Sequence, residues 1–292
     1  MGAKKTTRAP KSLSAGRPPM LHRPQKSISR KTTKALINKH HLLEKRKQQA
    51  IAKGDKAQEK LIDVELKALG GIERYQEASL QGQRHDRGGD SSRVLVEWLE
   101  PCLASRQAPQ DGPLRMLEVG ALSTQNACSK SGHFATIERI DLNSQGEGIL
   151  QQDFMERSLP QDDSERFDVL SLSLVLNFVP DPKGRGEMLL RTTEFLHRPE
   201  HYPASSSSQT DKFPCLFLVL PAPCVANSRY LDEDKLSTIM SSMGYTKIAS
   251  KTTQRLVYYL WRRTTDSLGL VGRFPKKEIR AGPTRNNFAV TL

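Results

Sequence analysis

The chain has 292 residues, with 45 Lys and Arg against 32 Asp and Glu and a formal net charge of +13. At roughly 100 to 200 residues per domain, that length holds one large domain with extensions. Four scattered cysteines without a CxxC pair or a histidine at ligand spacing point to neither a zinc site nor a disulfide framework, and no apolar run approaches the roughly 20 residues of a membrane span.

The positive charge is confined to the head. Residues 1–60 hold 17 Lys and Arg against three Asp and Glu, whereas residues 61–292 hold 28 against 29. The first 34 residues carry four prolines and almost no large apolar side chains. Such a segment cannot bury enough surface to offset its ordering entropy, so residues 1–34 are expected to be a disordered basic head. Its charge suits RNA, where phosphate neutralisation and counterion release give affinity without structure. The same composition suits a solubilising tail or a nuclear or nucleolar address. With no apolar leader core behind the head, a soluble protein of a reducing compartment is expected.

A helical region is expected over residues 35–110. From about Lys34 to Gln83 the apolar residues Leu61, Val64, Leu69, Ile72 and Tyr75 recur at mostly three and four residue steps, the mark of an amphipathic helix. Gly70 and Gly71 divide it, since glycine in a helix interior costs about 1 kcal/mol relative to alanine. "GQRHDRGGDSS" reads as a polar hinge, after which Ser91 or Ser92 can cap the helix "RVLVEWLE", which stops near Pro101.

The core is expected over residues 111–263. Strands are predicted at Arg115–Val119, Thr136–Leu142, Ile149–Asp153, Phe167–Phe178, Leu216–Leu220, Thr246–Ala249 and Leu256–Arg262. Helices are predicted in "STQNACSKS", "KGRGEMLLRTTEFL" and "DEDKLSTIMSSMG". Short apolar strands separated by helical connectors predict an α/β fold with a doubly wound, mostly parallel sheet. Only "SKTTQ" separates the last two β runs, so the last strand is expected to be antiparallel. "HRPEHYPASSSSQTDKF" reads as a low-complexity surface insertion, and residues 264–292 as a basic C-terminal tail that lies over the core or follows nucleic acid.

In such a sheet the ligand lies outside the carboxyl ends of the strands, beside the turn after the first one. Gly120 closes that strand, and glycine lets backbone approach a ligand closely. Glu118, just before it, can accept from an amino group. Twenty-one residues later Asp141 ends the second strand, and an acid at about 20 residues accepts the ribose hydroxyls of an adenosine. NAD and S-adenosylmethionine share that ribose. A pyrophosphate, however, requires the further glycines of G-x-G-x-x-G, and Gly120 is followed by Ala121, Leu122, Ser123 and Thr124. The departure favours the sulfonium cofactor. Asp153 and Phe154, closing the third strand, are the candidates for the adenine amine and ring, and Asp153 alternatively reads as a turn or cap residue.

The fourth strand ends "SLSLVLNFVPDP", where Asn177, Phe178 and Pro180 form a degenerate Asn-Pro-Pro-aromatic motif. Asn177 can orient a base edge and Phe178 can stack on the base, a contact worth roughly 1 to 3 kcal/mol. Equally, Phe178 can be a buried strand-end aromatic and Asn177 a turn former. A ring nitrogen such as adenine N1 attacks without losing a proton, so alignment matters more than a general base. A cytosine C5 reaction needs a nucleophilic cysteine, for which Cys224 is the one candidate and a small buried thiol the plainer reading.

Taken together, "LGGIERYQEASLQGQRHDRGGDSSRVLVEWL", "LEVGALSTQNACSKSGHFATIERIDLNS", "QQDFMER", "FDVLSLSLVLNFVPDPKGRGEMLLRTTEFL" and "GRFPKKEIRAGPTRNNF" resemble the fungal 25S ribosomal RNA adenine-N1 methyltransferase family. The resemblance runs from about Leu66 to the C-terminus. It implies a nucleolar, S-adenosylmethionine-dependent enzyme with a Rossmann-like core, acting on an adenine of large-subunit RNA or a pre-ribosomal particle, with Gly120 and Asp141 at donor-binding positions. A monomer without membrane attachment is expected. The same family resembles an animal branch that serves as an S-adenosylmethionine sensor by binding signalling proteins, so a binding module without turnover stands as the alternative.

Overall fold

The computed structural model describes residues 30–70, 90–105, 112–144, 146–202, 212–265 and 272–292. Most of the basic head, the Ile72 and Tyr75 positions and most of the "GQRHDRGGDSS" hinge lie outside them. Seven strands form one sheet: β1 (Arg115–Val119), β2 (Thr136–Asp141), β3 (Leu150–Gln151), β4 (Val169–Ser173), β5 (Cys215–Pro221), β6 (Tyr245–Thr252) and β7 (Leu256–Arg263). Their order is β3-β2-β1-β4-β5-β7-β6. β1 pairs in parallel with β2 and β4, and β7 runs antiparallel between β5 and β6. This is a doubly wound, mostly parallel, Rossmann-like α/β sheet with an antiparallel last strand.

The central strands are apolar on both faces because helices cover both. The helices are α1 (Arg30–Lys53), α2 (Lys56–Ala68), α3 (Ser92–Ser105), α4 (Ala127–Lys130), α5 (Pro182–Phe195), α6 (Pro223–Ala226) and α7 (Glu233–Ser242). On one face Leu117, Leu170 and Leu218 pack with Met188, Leu189 and Phe195 of α5 and Leu236, Ile239 and Met240 of α7. On the other, Met116, Val169 and Phe217 pack with Leu95, Leu99, Cys102 and Leu103 of α3 and Cys128 of α4. Truncating one of these leucines to alanine costs about 2 to 5 kcal/mol.

Local differences from the sequence expectations have identifiable causes. Helix α3 runs through Pro101 to Ser105. The hydrogen bond that proline removes is offset by burying Cys102 and Leu103 in the next turn. Its start is held by Asp90, whose Oδ1 accepts from the amide and hydroxyl of Ser92 at 2.9 and 2.7 Å, and neither Ser91 nor Ser92 is the capping acceptor. Helix α4 is one turn long, because Asn126 accepts from the Ser129 amide at 3.0 Å and so caps it only at Ala127. Strand β3 shrinks to the exposed pair Leu150–Gln151 at the edge of the sheet. Strand β4 stops at Ser173, where Leu174 turns to φ +59° and the chain leaves the sheet.

The N-terminal helices differ most. Gly70, at φ +96°, closes α2 as its position suggests, but a second break falls at Gly54, whose φ of +70° ends α1, and Asp55 caps α2 by accepting from Gln58 N at 3.0 Å. Leu61 and Val64 are exposed, and the buried stripe of α2 is Ile62 and Leu66 against Leu43 and Ala50 of α1. Both flanks of the insertion are anchored: His197 at its start and Phe213 at its end are buried, and the Tyr202 hydroxyl donates to buried Asp168, which also accepts from the Arg115 amide at 2.5 Å. Residues 203–211 lie outside the description.

The basic tail lies over the core. Phe288, Ala289 and Val290 are buried, Phe274 packs against the α5 and α7 layer, and Thr291 N donates to Pro182 O at 3.0 Å. Gly186 of α5 meets this strap so closely that a Cβ there would lie 2.0 Å from Thr291 O. Among the described residues no helix is long and apolar enough to cross a membrane, and no group of three or more His, Cys, Asp or Glu could hold a metal ion.

Candidate active site at the carboxyl edge

The carboxyl ends of β1, β2 and β3 are adjacent, so Gly120, Asp141 and Asp153 come to one edge. Gly120 adopts φ +73°, and a Cβ there would lie 2.5 Å from Val175 Cγ2. Its amide donates to Ile140 O at 2.8 Å, and the Ala121 amide donates to the same carbonyl at 3.1 Å. Glycine is thus required twice, by the left-handed turn and by the close approach of the segment after β4. The following loop crosses toward the turn after β2, where a Cβ on Gly148 would lie 3.1 Å from Thr124 Cγ2.

Asp141 accepts from the Asn143 amide at 2.9 Å, which turns the chain and fixes the carboxylate at the end of β2. Asp153 accepts from the Met155 amide at 2.7 Å, the turn-forming role weighed for it above. Phe154 does not join the edge: its ring is buried and packs on Phe195, with centroids 5.2 Å apart.

Glu118 lies under the loop, half-buried between α4 and β2. It accepts twice from Asn126 Nδ2, at 2.7 and 2.9 Å, and Arg139 Nε lies 3.9 Å away. Burial holds its carboxyl above the usual carboxylate range, against the opposing pull of Asn126 and Arg139. Composition and spacing did not single out Asn126 or Asp90. Asp90 Oδ2 accepts from the Ala127 amide at 2.5 Å, across 37 residues, and Ser91 Oγ meets Ser173 Oγ at 2.7 Å at the end of β4. The start of α3 therefore clasps both sides of the loop. An N-cap motif at Asp90 was the only sequence signal.

Asn177 and Phe178 lie in the turn after β4, closed by the Phe178 amide donating to Val175 O at 2.9 Å. Through Val175 this turn abuts Gly120, so the two halves of the site meet. Phe178 is 38 % exposed, a ring at the surface and not in the core. Asn177 Oδ1 is buried and meets no hydrogen-bond partner among the described residues, so the turn holds an acceptor without a donor. Cys224 is buried and its thiol is pushed up to about 12 by burial, which makes it a poor nucleophile.

Arg185 was also not anticipated. This buried side chain of α5 donates through Nε to Val179 O at 2.9 Å, through Nη2 to Pro180 O at 3.4 Å and through Nη1 to Ala289 O at 2.8 Å.

Comparison with known proteins gives matches over most of the chain. The 25S rRNA adenine-N(1) methyltransferase of Schizosaccharomyces pombe is 39% identical over 258 residues, 87% of this chain and 89% of that protein. The 25S rRNA (adenine(2142)-N(1))-methyltransferase of Saccharomyces cerevisiae is 36% identical over 229 residues, 78% of this chain and 62% of that protein. Among solved structures, the Burkholderia thailandensis 1,6-didemethyltoxoflavin-N1-methyltransferase matches 65% of this chain and 87% of that one, at 15% identity and a TM-score of 0.38. The family model described as 25S rRNA (adenine(2142)-N(1))-methyltransferase, Bmt2, matches residues 60–290, and the chain belongs to that family.

Proposed function

We propose that the protein is an S-adenosylmethionine-dependent methyltransferase that methylates N1 of an adenine in 25S ribosomal RNA. The observation that carries this reading is membership of the family over residues 60–290, a span that includes every candidate residue of the site. The chain's own chemistry fits the donor. Gly120 draws the turn after β1 close against Val175, Asp141 at the end of β2 would accept from the ribose hydroxyls, Asp153 would accept from the adenine amine, and Glu118 would accept from an amino group of the donor. When bound, that donor supplies a methyl group on a sulfonium, and adenine N1 accepts it with a lone pair and no proton to remove.

The protein's tasks are then to bind, align and exclude water. Asn177 offers its amide to the edge of the target base and exposed Phe178 offers a stacking face. Cationic residues of the head and of helices α1 and α2, where Lys39, Lys53, Lys56, Lys60 and Lys67 are exposed, supply attraction to phosphate. In this reading the head spans residues 1–34, the helical region 35–110, the donor-binding core 111–263 and the tail 264–292. The substrate is large-subunit RNA or a pre-ribosomal particle, met in the nucleolus by a monomer.

The test is mass spectrometry of large-subunit RNA nucleosides from a strain in which the gene is deleted. The expected result is loss of 1-methyladenosine, restored by the wild-type gene. Unchanged 1-methyladenosine together with calorimetric donor binding would place the protein among binding modules.

A further inference from the structure

The two segments that follow β4 and β5 at the carboxyl edge are held by arginine guanidinium groups bonded to backbone carbonyls. Arg185 joins the turn after β4, at Val179 O and Pro180 O, to Ala289 O of the C-terminal strap, and its guanidinium carbon lies 4.3 Å from the centroid of the Phe288 ring. Arg280 of the strap joins the segment after β5: it donates to Ser228 O at 3.1 Å, Ala226 O at 3.3 Å, Val225 O at 2.5 Å and Leu231 O at 2.6 Å. Arg229 returns the contact, with Nη2 donating to Gly282 O at 2.8 Å. The strap therefore spans both loops.

Burying a guanidinium against carbonyl dipoles alone is a costly way to add stability, because the desolvation of the charge is only partly returned. Burial lowers the pKa of Arg185 from its usual value. What the arrangement does supply is geometry, since a planar fork fixes several carbonyls in one plane. The carbonyls fixed by Arg185 are the two directly after Phe178, close in the chain to the buried Asn177 Oδ1, which has no hydrogen-bond partner among the described residues.

We infer that the C-terminal strap is the frame of the acceptor half of the site, with Arg185 a positioning residue that fixes the Asn177–Phe178 turn for the target base. This rests on the methyltransferase reading above. The donor half, at β1 to β3, makes no contact with Arg185 among the bonds described, so the two halves separate experimentally.

The test uses the full chain with Arg185→Lys and Arg185→Met, calorimetry with S-adenosylmethionine, and steady-state methyl transfer to large-subunit rRNA extracted from the deletion strain. The expected result is donor affinity within about twofold of wild type and kcat/KM for the RNA lower by about 100-fold, mostly in kcat, as for misplaced reacting groups. Lysine, which reaches one carbonyl at a time, restores only a small part. If Arg185→Met does not fold, Arg280→Lys carries the same measurement on the neighbouring segment. Donor affinity and kcat/KM falling together, or kcat/KM unchanged, overturns the positioning role. A wild-type protein that binds the donor yet transfers no methyl group overturns the enzyme reading, and this role with it.

Discussion

The two halves of the carboxyl edge are built differently. The proposed donor half, at the ends of β1 to β3, is shaped largely by backbone: a left-handed glycine, a shared Ile140 carbonyl and turns closed by Asp141 and Asp153 onto amides two residues ahead. The proposed acceptor half, at the ends of β4 and β5, is held from outside by Arg185 and Arg280 across sequence separations of up to 104 residues. A small-molecule donor is always the same, so a cradle shaped largely by backbone turns suffices. A base within a large RNA must be received by loops, and loops keep one conformation only when something remote ties them down.

Breaking this contrast should affect one half at a time. The largest effect is expected from Gly120→Arg, which cannot adopt φ +73° beside Val175 and should abolish donor binding by calorimetry while RNA association in a filter assay persists. Asp141→Ala should weaken donor binding by about 100-fold, as expected for losing charge-assisted hydrogen bonds, with circular dichroism unchanged. Equal loss of RNA association in either variant would show that the halves are one unit. Deleting residues 1–33 should lower RNA affinity by about tenfold at low salt and flatten its salt dependence, since nine Lys and Arg leave with no acid, and should spare donor affinity. Loss of donor binding in that truncation would make the head part of the site.

The smallest expected effect is electrostatic and confined to the donor half. Burial raises the pKa of Glu118, so the folded chain holds a proton that the unfolded chain releases. Stability therefore falls as pH rises from the ordinary carboxylate range through the raised value. Glu118→Gln, which can still accept from Asn126, should flatten denaturant midpoints across that window and be the more stable protein above it. A wild-type curve without that slope would contradict the assignment.

The same contrast explains what was legible in the sequence. Spacing placed Gly120 and Asp141 at adjacent strand ends because both their turns and their strand pairing are local, and it gave the antiparallel β7 because a short link, three residues between Thr252 and Leu256, admits little else. Arg185 was invisible and Asp90 was marked only as a residue of a helix start, since each acts on backbone groups far along the chain. The α2 stripe was misassigned because Leu61 and Val64 match helical spacing as well as Ile62 and Leu66, and only the partner helix decides between them. Charge alone left two readings of the tail open, and the structure has it over the core. Arg280 and Arg285 donate to carbonyls and Lys276 lies 4.5 Å from the Tyr230 ring centroid, whereas the exposed lysines of α1 and α2 face solvent.

The four cysteines, all buried and unoxidised, offer a way to watch the molecule open. Burial pushes the Cys128 and Cys224 thiols up to about 12, so a maleimide at neutral pH has almost no thiolate to attack while the fold is closed. Cys102, Cys128 and Cys215 lie in the layer under α3 and α4, and Cys224 in the layer under α5 and α7. Alkylation followed by peptide mapping would thus time the two layers separately, from the thiols nature already placed there.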